Sequence, residues 1–145
     1  MNMAQNATRK GEATQMAGEF FVMECLYRLG HLPALLLSNS RTVDILVLTK
    51  SGHKLSVSVK ACRNDHKWPL GKSLGEPDAS RLHVFLIFRR IDDLKSRPEV
   101  FVMQDSDLRE RCDCWQDDTD FALWHSGKNK VEDIEAFRDR WDLFD

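Results

Sequence analysis

Apolar positions recur at helical spacing from about Gly11 to Leu29, where Met16, Phe20, Met23 and Leu26 follow at three- and four-residue intervals. Gly30 supplies a stop. Residues 1–10 are polar and lack that period, so they are expected to be frayed and flexible. A short apolar run, Pro33 to Leu37, leads into the turn-like Ser38-Asn39-Ser40. Two stretches rich in Val, Leu and Ile, Thr42 to Thr49 and Lys54 to Cys62, flank Ser51-Gly52 and predict a β-hairpin. The second alternates, with Leu55, Val57 and Val59 on one face and Ser56, Ser58 and Lys60 on the other. Residues 63–80, with Gly71, Gly75 and Pro77, read as a long basic loop. Arg81 to Phe88 and Glu99 to Met103 predict strands, and Asp105 to Trp115 and Glu132 to Phe144 predict helices. Phe121 to Trp124 reads as a short strand between those helices. The order predicts an α/β class with a mixed central sheet flanked by helices, in one domain over 1–145.

The composition agrees. A chain of 145 residues, 42% apolar and 30% charged, is globular and can build a core without a disulfide or metal staple. No apolar run approaches the ~20 residues of a membrane span, and no basic-led apolar segment reads as a signal peptide, so no membrane partner and a cytoplasmic location are expected. Cys25 and Cys62 sit in apolar stretches, and Cys112 and Cys114 have no second pair to complete a zinc set. A reduced protein without structural zinc follows. Trp115, Trp124 and Trp141 fall in patterned segments and are expected in the core. The net charge of −2 is unevenly placed: residues 51–75 carry +4 and residues 101–145 carry −7. Bases gathered in one groove can bind a polyanion even in an acidic chain. A solvated loop beside an acidic tail is the alternative.

Three ionisable residues stand where apolar ones are expected. Glu19 lies on the apolar stripe of its helix, between Met16 and Met23. Asp44 interrupts the run Val43-Asp44-Ile45-Leu46-Val47-Leu48, where an aspartate is rarely buried without a partner. Lys60 ends Val57-Ser58-Val59-Lys60. A hairpin loop with an odd number of residues puts Asp44 and Lys60 on one face, whereas a two-residue loop puts them on opposite faces. One reading is a cross-strand Asp44–Lys60 ion pair. The other is a metal site, in which two carboxylates and a backbone carbonyl suit Mg²⁺, a hard cation that keeps several waters. A neighbouring lysine then orients the attacking water or stabilises charge at phosphorus.

Gly18-Glu19 in an apolar helix, then Val43-Asp44-Ile45-Leu46-Val47, then Val57-Ser58-Val59-Lys60, resembles the PD-(D/E)XK nuclease superfamily. Within it, the chain is most similar to the small branch that includes archaeal Holliday-junction resolvases. The stretch from Arg63 to Trp68-Pro69-Leu70 and the close Arg138-Asp139-Arg140-Trp141-Asp142-Leu143 are similar to small bacterial members. The resemblance implies a restriction-endonuclease-like core and metal-dependent hydrolysis of nucleic-acid phosphodiester bonds, with double-stranded DNA as partner and Mg²⁺ or Mn²⁺ as cofactor. It makes Glu19 and Asp44 metal ligands, the Val59 carbonyl a further ligand, and Lys60 the catalytic lysine. A homodimer is a further implication. Ser58 departs from the motif: it stands where Asp or Glu is usual, leaving two carboxylates where three are usual. A catalytically inactive module of the same fold, binding DNA or another protein, is therefore the alternative function.

Arg63, Lys67 and Lys72 around Trp68 are candidates for a phosphate track with the indole stacked on a base. Trp68-Pro69 as an apolar latch for the loop is the competing reading. His53 and His66 read as surface residues near this groove. No P-loop, HExxH or GxGxxG is present.

Overall fold

Helix α1 spans Met3–Arg28 and begins well before its apolar period does. Asn2 caps it: Asn2 Oδ1 accepts from the Gln5 N–H at 2.9 Å, and Gln5 Oε1 accepts from the Asn2 N–H at 3.2 Å. This reciprocal capping box makes residues 3–10 helical rather than frayed, which corrects the expectation for the N-terminus. Hydrophobic periodicity is silent there because residues 2–13 are all exposed. The computed structural model describes residues 2–37, 43–115 and 120–145; the turn expected at 38–40 and the start of the strand expected at 42 lie outside these.

In chain order the strands are β1 (Leu32–Leu35), β2 (Ile45–Leu48), β3 (Lys54–Cys62), β4 (Lys67–Gly71), β5 (Arg81–Ile87) and β6 (Glu99–Gln104). Helix α2 (Asp105–Arg111), β7 (Asp113–Trp115) and β8 (Asp120–Trp124) follow. Strands β1-β2-β3-β5-β6 form a five-stranded mixed sheet in that order, in which β3 and β5 are parallel and the other pairs antiparallel. Strands β4-β8-β7 form a smaller antiparallel sheet. The α/β class and the mixed sheet flanked by helices are as the pattern predicts.

The loop from β2 to β3 covers residues 49–53, so its residue count is odd. Gly52, at φ 92°, makes the turn that lets its N–H reach the Thr49 carbonyl. The register Ile45↔Val57 follows from it.

Each face of the large sheet carries its own core. On one, α1 buries Val22 and Leu26 against Ile45, Val57, Val59 and Val84. A Cβ at Gly18 would lie 2.8 Å from the Ala61 Cβ, so only glycine lets α1 sit this close to β3. On the other face, Trp68, Leu108 and Leu123 cover Cys62, Phe85 and Phe101. The segment 63–80 is thus not a continuous loop: β4 is pinned to β8 and its Trp68 is 1% exposed.

The helix expected over 132–144 is instead two 3-10 turns, Ile134–Phe137 and Trp141–Phe144. Ile134 and Phe137 enter one core while Phe144 enters the other, a split that one straight helix cannot make. Between the turns, the Asp139 N–H donates to the Val100 carbonyl of β6 at 2.9 Å, which takes the backbone out of helical register. Likewise α2 stops at Arg111 and the chain extends into β7, where a helix to Trp115 is expected. Trp124 and Trp141 are half-buried, the ring of Trp115 lies outside the described side chains, and the four cysteines are free thiols. Among the described residues no helix is long and apolar enough to cross a membrane.

Candidate active site

The β2–β3 ladder ends at Ile45↔Val57, while β3 runs on to Cys62. Beyond Val57, backbone groups on that edge of β3 have no strand to pair with among the described residues, and unpaired buried groups are costly. Side chains take the place of the strand. Asp44 Oδ2 accepts from the Val59 N–H at 2.7 Å. Gln15 Nε2 donates to the Val59 carbonyl at 2.7 Å, and Gln15 Oε1 accepts from the Ala61 N–H at 3.3 Å. The Asp44 N–H donates to the Val57 carbonyl at 2.8 Å, although Val57 is already in register with Ile45. Two residues of one segment thus face one of the other, the count of a β-bulge, which redirects the Asp44 side chain into the sheet edge.

Glu19 sits one turn beyond Gln15 on α1 and is 7% exposed. Its carboxyl is pushed up to about 7, first by burial, then by the charge of Asp44 and a hydrogen bond with it, against the opposing pull of Lys60. Two carboxyls held this close share a site that favours a proton or a cation. Lys60 belongs to the side of β3 away from α1, where it and Ser58 line a cavity of about 30 Å³ with Arg81 and His83. The three expected residues therefore lie around one stretch of β3: Glu19 on the helix side, Asp44 at its edge, and Lys60 on the far side. No Asp44–Lys60 ion pair forms; Asp44 is bonded to Val59 and Glu19 instead. Ser58 is 5% exposed, on Lys60's side, in register with His83.

The donor set is oxygen-rich and its charge is unbalanced, which suits a hard divalent cation. Glu19, Asp44 and the Val59 carbonyl are the groups that could hold one, the carbonyl sharing its lone pairs with Gln15. Among the described residues no cluster of three or more His, Cys, Asp or Glu side chains forms, so waters or a substrate oxygen must complete the shell.

The structure separates the candidates for nucleic-acid contact. Arg63 is half-buried at the end of β3, and its Nε donates to Thr14 Oγ1 at 2.8 Å. Lys67 lies over the Trp124 ring at 4.8 Å, and Lys72 is exposed beyond β4. Trp68 is buried against Phe85, Phe101 and His125, and its Nε1 donates to the Leu86 carbonyl at 2.9 Å. A buried indole offers no face to a base, so the stacking role is corrected to that of a latch. His53 is exposed, and so is His66, whose Nδ1 is 2.8 Å from Ser126 Oγ.

Gln15 and a buried dyad are absent from the sequence reading. His83 Nε2 lies 2.8 Å from Asp105 Oδ1, and Asp105 Oδ2 accepts from Arg109 Nε at 2.8 Å. Burial would raise the Asp105 pKa, but hydrogen bonds from His83 and Arg109 outweigh it and hold it low. Burial also keeps His83 below its ordinary value, against the pull of Asp105. The one signal for Gln15 is its place one turn before Glu19 on the same helix face. Nothing local links His83 to Asp105.

The architecture is a mixed α/β fold, a five-stranded mixed sheet flanked by helices. It is similar to the solved structure of the bacterial homing endonuclease I-Ssp6803I, with a TM-score of 0.61 over 91% of this chain and 90% of that one. Sequence identity is 11%, so the likeness is one of fold. No protein-family model matches the chain, and no curated protein matches it significantly in sequence.

Proposed function

We propose that this protein is a metal-dependent endonuclease that hydrolyses phosphodiester bonds of double-stranded DNA, with a PD-(D/E)XK site of the small resolvase-like branch. The observation that carries the reading is the Glu19–Asp44 carboxyl pair at the open edge of β3, with Lys60 on the far side of the same strand. The likeness of fold to a homing endonuclease supports it.

Mg²⁺ or Mn²⁺ held by Glu19, Asp44 and the Val59 carbonyl would supply Lewis-acid stabilisation of charge on the phosphate. Asp44 is fixed for that task by the Val59 N–H, so its carboxylate is positioned before substrate arrives. Gln15 braces the adjacent carbonyl and keeps the edge of β3 from closing on another strand. The Lys60 ammonium offsets negative charge that builds at phosphorus during attack by water. Ser58 supplies a neutral oxygen where a third carboxylate is usual, so cation affinity rests on two acids.

Supercoiled and linear DNA incubated with Mg²⁺ or Mn²⁺ test the reading. Cleavage by the wild type is expected, with loss of at least about a hundredfold in both Asp44→Asn and Lys60→Ala. Cleavage that survives both changes refutes it. Ser58 specifically favours a second reading, a non-catalytic DNA-binding module. That reading fails if divalent-dependent turnover by the wild type exceeds that of Lys60→Ala.

A further inference from the structure

A cleft of about 650 Å³ opens between α1 and the ends of the parallel strands β3 and β5. Ala7, Lys10, Gly11 and Thr14 of α1 form one wall, and Arg63, Arg89 and Arg90 come from the opposite side. Four bases face two acids, Asp65 and Asp92, in a chain whose net charge is −2. Lys10 and Arg63 make no ion pair among the described residues. Thr14 holds the Arg63 Nε, and no hydrogen bond among the described residues takes its terminal nitrogens. Arg89 and Arg90 pair with Glu99 and Asp93 at 2.9 and 3.3 Å, on surfaces 48% and 72% exposed, where such pairs exchange readily for phosphate.

Two features of α1 fit a ligand in this cleft. Its first three turns are exposed on every side, yet a capping box builds them. Gly11 lies in the wall with no atom within 4 Å of the position a Cβ would take, so close packing inside the chain does not explain a residue that weakens a helix. The cleft also reaches β3 two residues from the carbonyl beside the carboxyl pair. Ala61 lines the cleft, and its N–H is bonded to Gln15, one turn before Glu19 on α1.

We propose that the cleft is the track for the phosphate backbone of a DNA duplex, with Lys10, Arg63 and Arg90 on successive phosphates and the exposed turns of α1 as the outer wall. The inference deepens the nuclease reading, and rests on it for the direction in which the backbone runs towards Glu19 and Asp44. It also moves the nucleic-acid surface away from Lys67 and Lys72, which do not line the cleft.

The test is fluorescence anisotropy with a short labelled DNA duplex in EDTA, with a matching RNA duplex as a second arm. The double variant Lys10→Glu/Arg90→Glu should bind at least about tenfold more weakly, with a log–log salt slope shallower by about two. Lys128→Glu/Lys130→Glu, the same change of net charge on a loop elsewhere, should weaken binding less than about threefold. Gly11→Gln should weaken binding while leaving the fold at least as stable. Equal loss in the two double variants, or no duplex binding by the wild type, overturns the proposal. Preferential binding of the RNA arm overturns DNA as the partner. Cleft-dependent binding without cleavage in Mg²⁺ keeps the cleft and removes the nuclease reading. Cleavage with KM unchanged in the cleft variants keeps the nuclease and removes the cleft.

Discussion

Asp44 Oδ2 and the Val59 N–H are joined by a 2.7 Å hydrogen bond, so a carboxylate occupies the place on β3 where the next strand would pair. The same bond that satisfies the backbone also brings an acid beside Glu19. Removing the acid and removing the bond are therefore separable. Asp44→Asn keeps an acceptor for Val59 and should retain near-native stability, with the Glu19 pKa falling towards its ordinary value. Asp44→Ala leaves the N–H unpaired and should cost about 1–3 kcal/mol. Denaturant melts, with NMR titration of Glu19, distinguish the two. Equal stability of the two variants would show that the bond is dispensable.

Glu19 titrates at about 7 in the folded chain against 4.5 when unperturbed. The folded state therefore holds a proton that the unfolded chain releases between those values. Stability should fall as pH rises through that window and level off above it, by at most about 3 kcal/mol from this group. Glu19→Gln, which has no proton to lose, should lack that component. Unfolding free energies at about pH 5 and about pH 8, compared between wild type and variant, measure it. An identical pH dependence in both would mean that Glu19 is not the titrating group.

Gly18→Ala should force α1 away from β3, because the new Cβ would meet the Ala61 Cβ at 2.8 Å. The expected cost is about 1–3 kcal/mol despite alanine's better helix propensity. Glu19 is the next residue, so duplex cleavage should drop as well. A thermal melt at or above that of the wild type would contradict this close approach.

Trp68→Phe should destabilise by about 1–3 kcal/mol, through lost volume and loss of the buried indole hydrogen bond to the Leu86 carbonyl. DNA affinity should stay within about twofold, because a buried ring contributes no stacking. A tenfold loss of affinity at unchanged stability would return Trp68 to the interface.

Asp105→Ala strands the His83 Nε2, the Arg109 Nε and the Asp78 N–H, which it bonds at 2.8, 2.8 and 3.1 Å. About 3 kcal/mol of stability should go with it. Because Asp105 is held below its ordinary pKa, its contribution is present at neutral pH and disappears as pH falls through the folded value. The wild type should therefore lose stability in acid more steeply than Asp105→Ala, as read by acid unfolding followed by circular dichroism.

The sequence by itself determined the class of fold and marked three polar intrusions, each visible within one element: Glu19 in a helical pattern, Asp44 inside an apolar run and Lys60 in an alternating strand. It did not fix the inward face of α1: Met16 and Phe20 of the expected stripe are 38% and 60% exposed, and the face that packs on the sheet carries Thr14, Gly18, Glu19, Val22 and Leu26 instead. Tertiary structure alone decided how they meet. The odd five-residue turn set the register, the bulge at Asp44 turned its carboxylate into the sheet edge, and Gly18 let α1 come close enough to deliver Glu19. Gln15, the His83–Asp105 dyad and the burial of Trp68 depend on partners from distant parts of the chain, to which no local period refers. The capping box ahead of α1 is legible in Asn2 and Gln5, but hydrophobic pattern misses the first turns of the helix, which are exposed on every side. The C-terminal segment shows the converse limit. Its apolar spacing fits a helix, and only the two separate cores it must reach split it into turns.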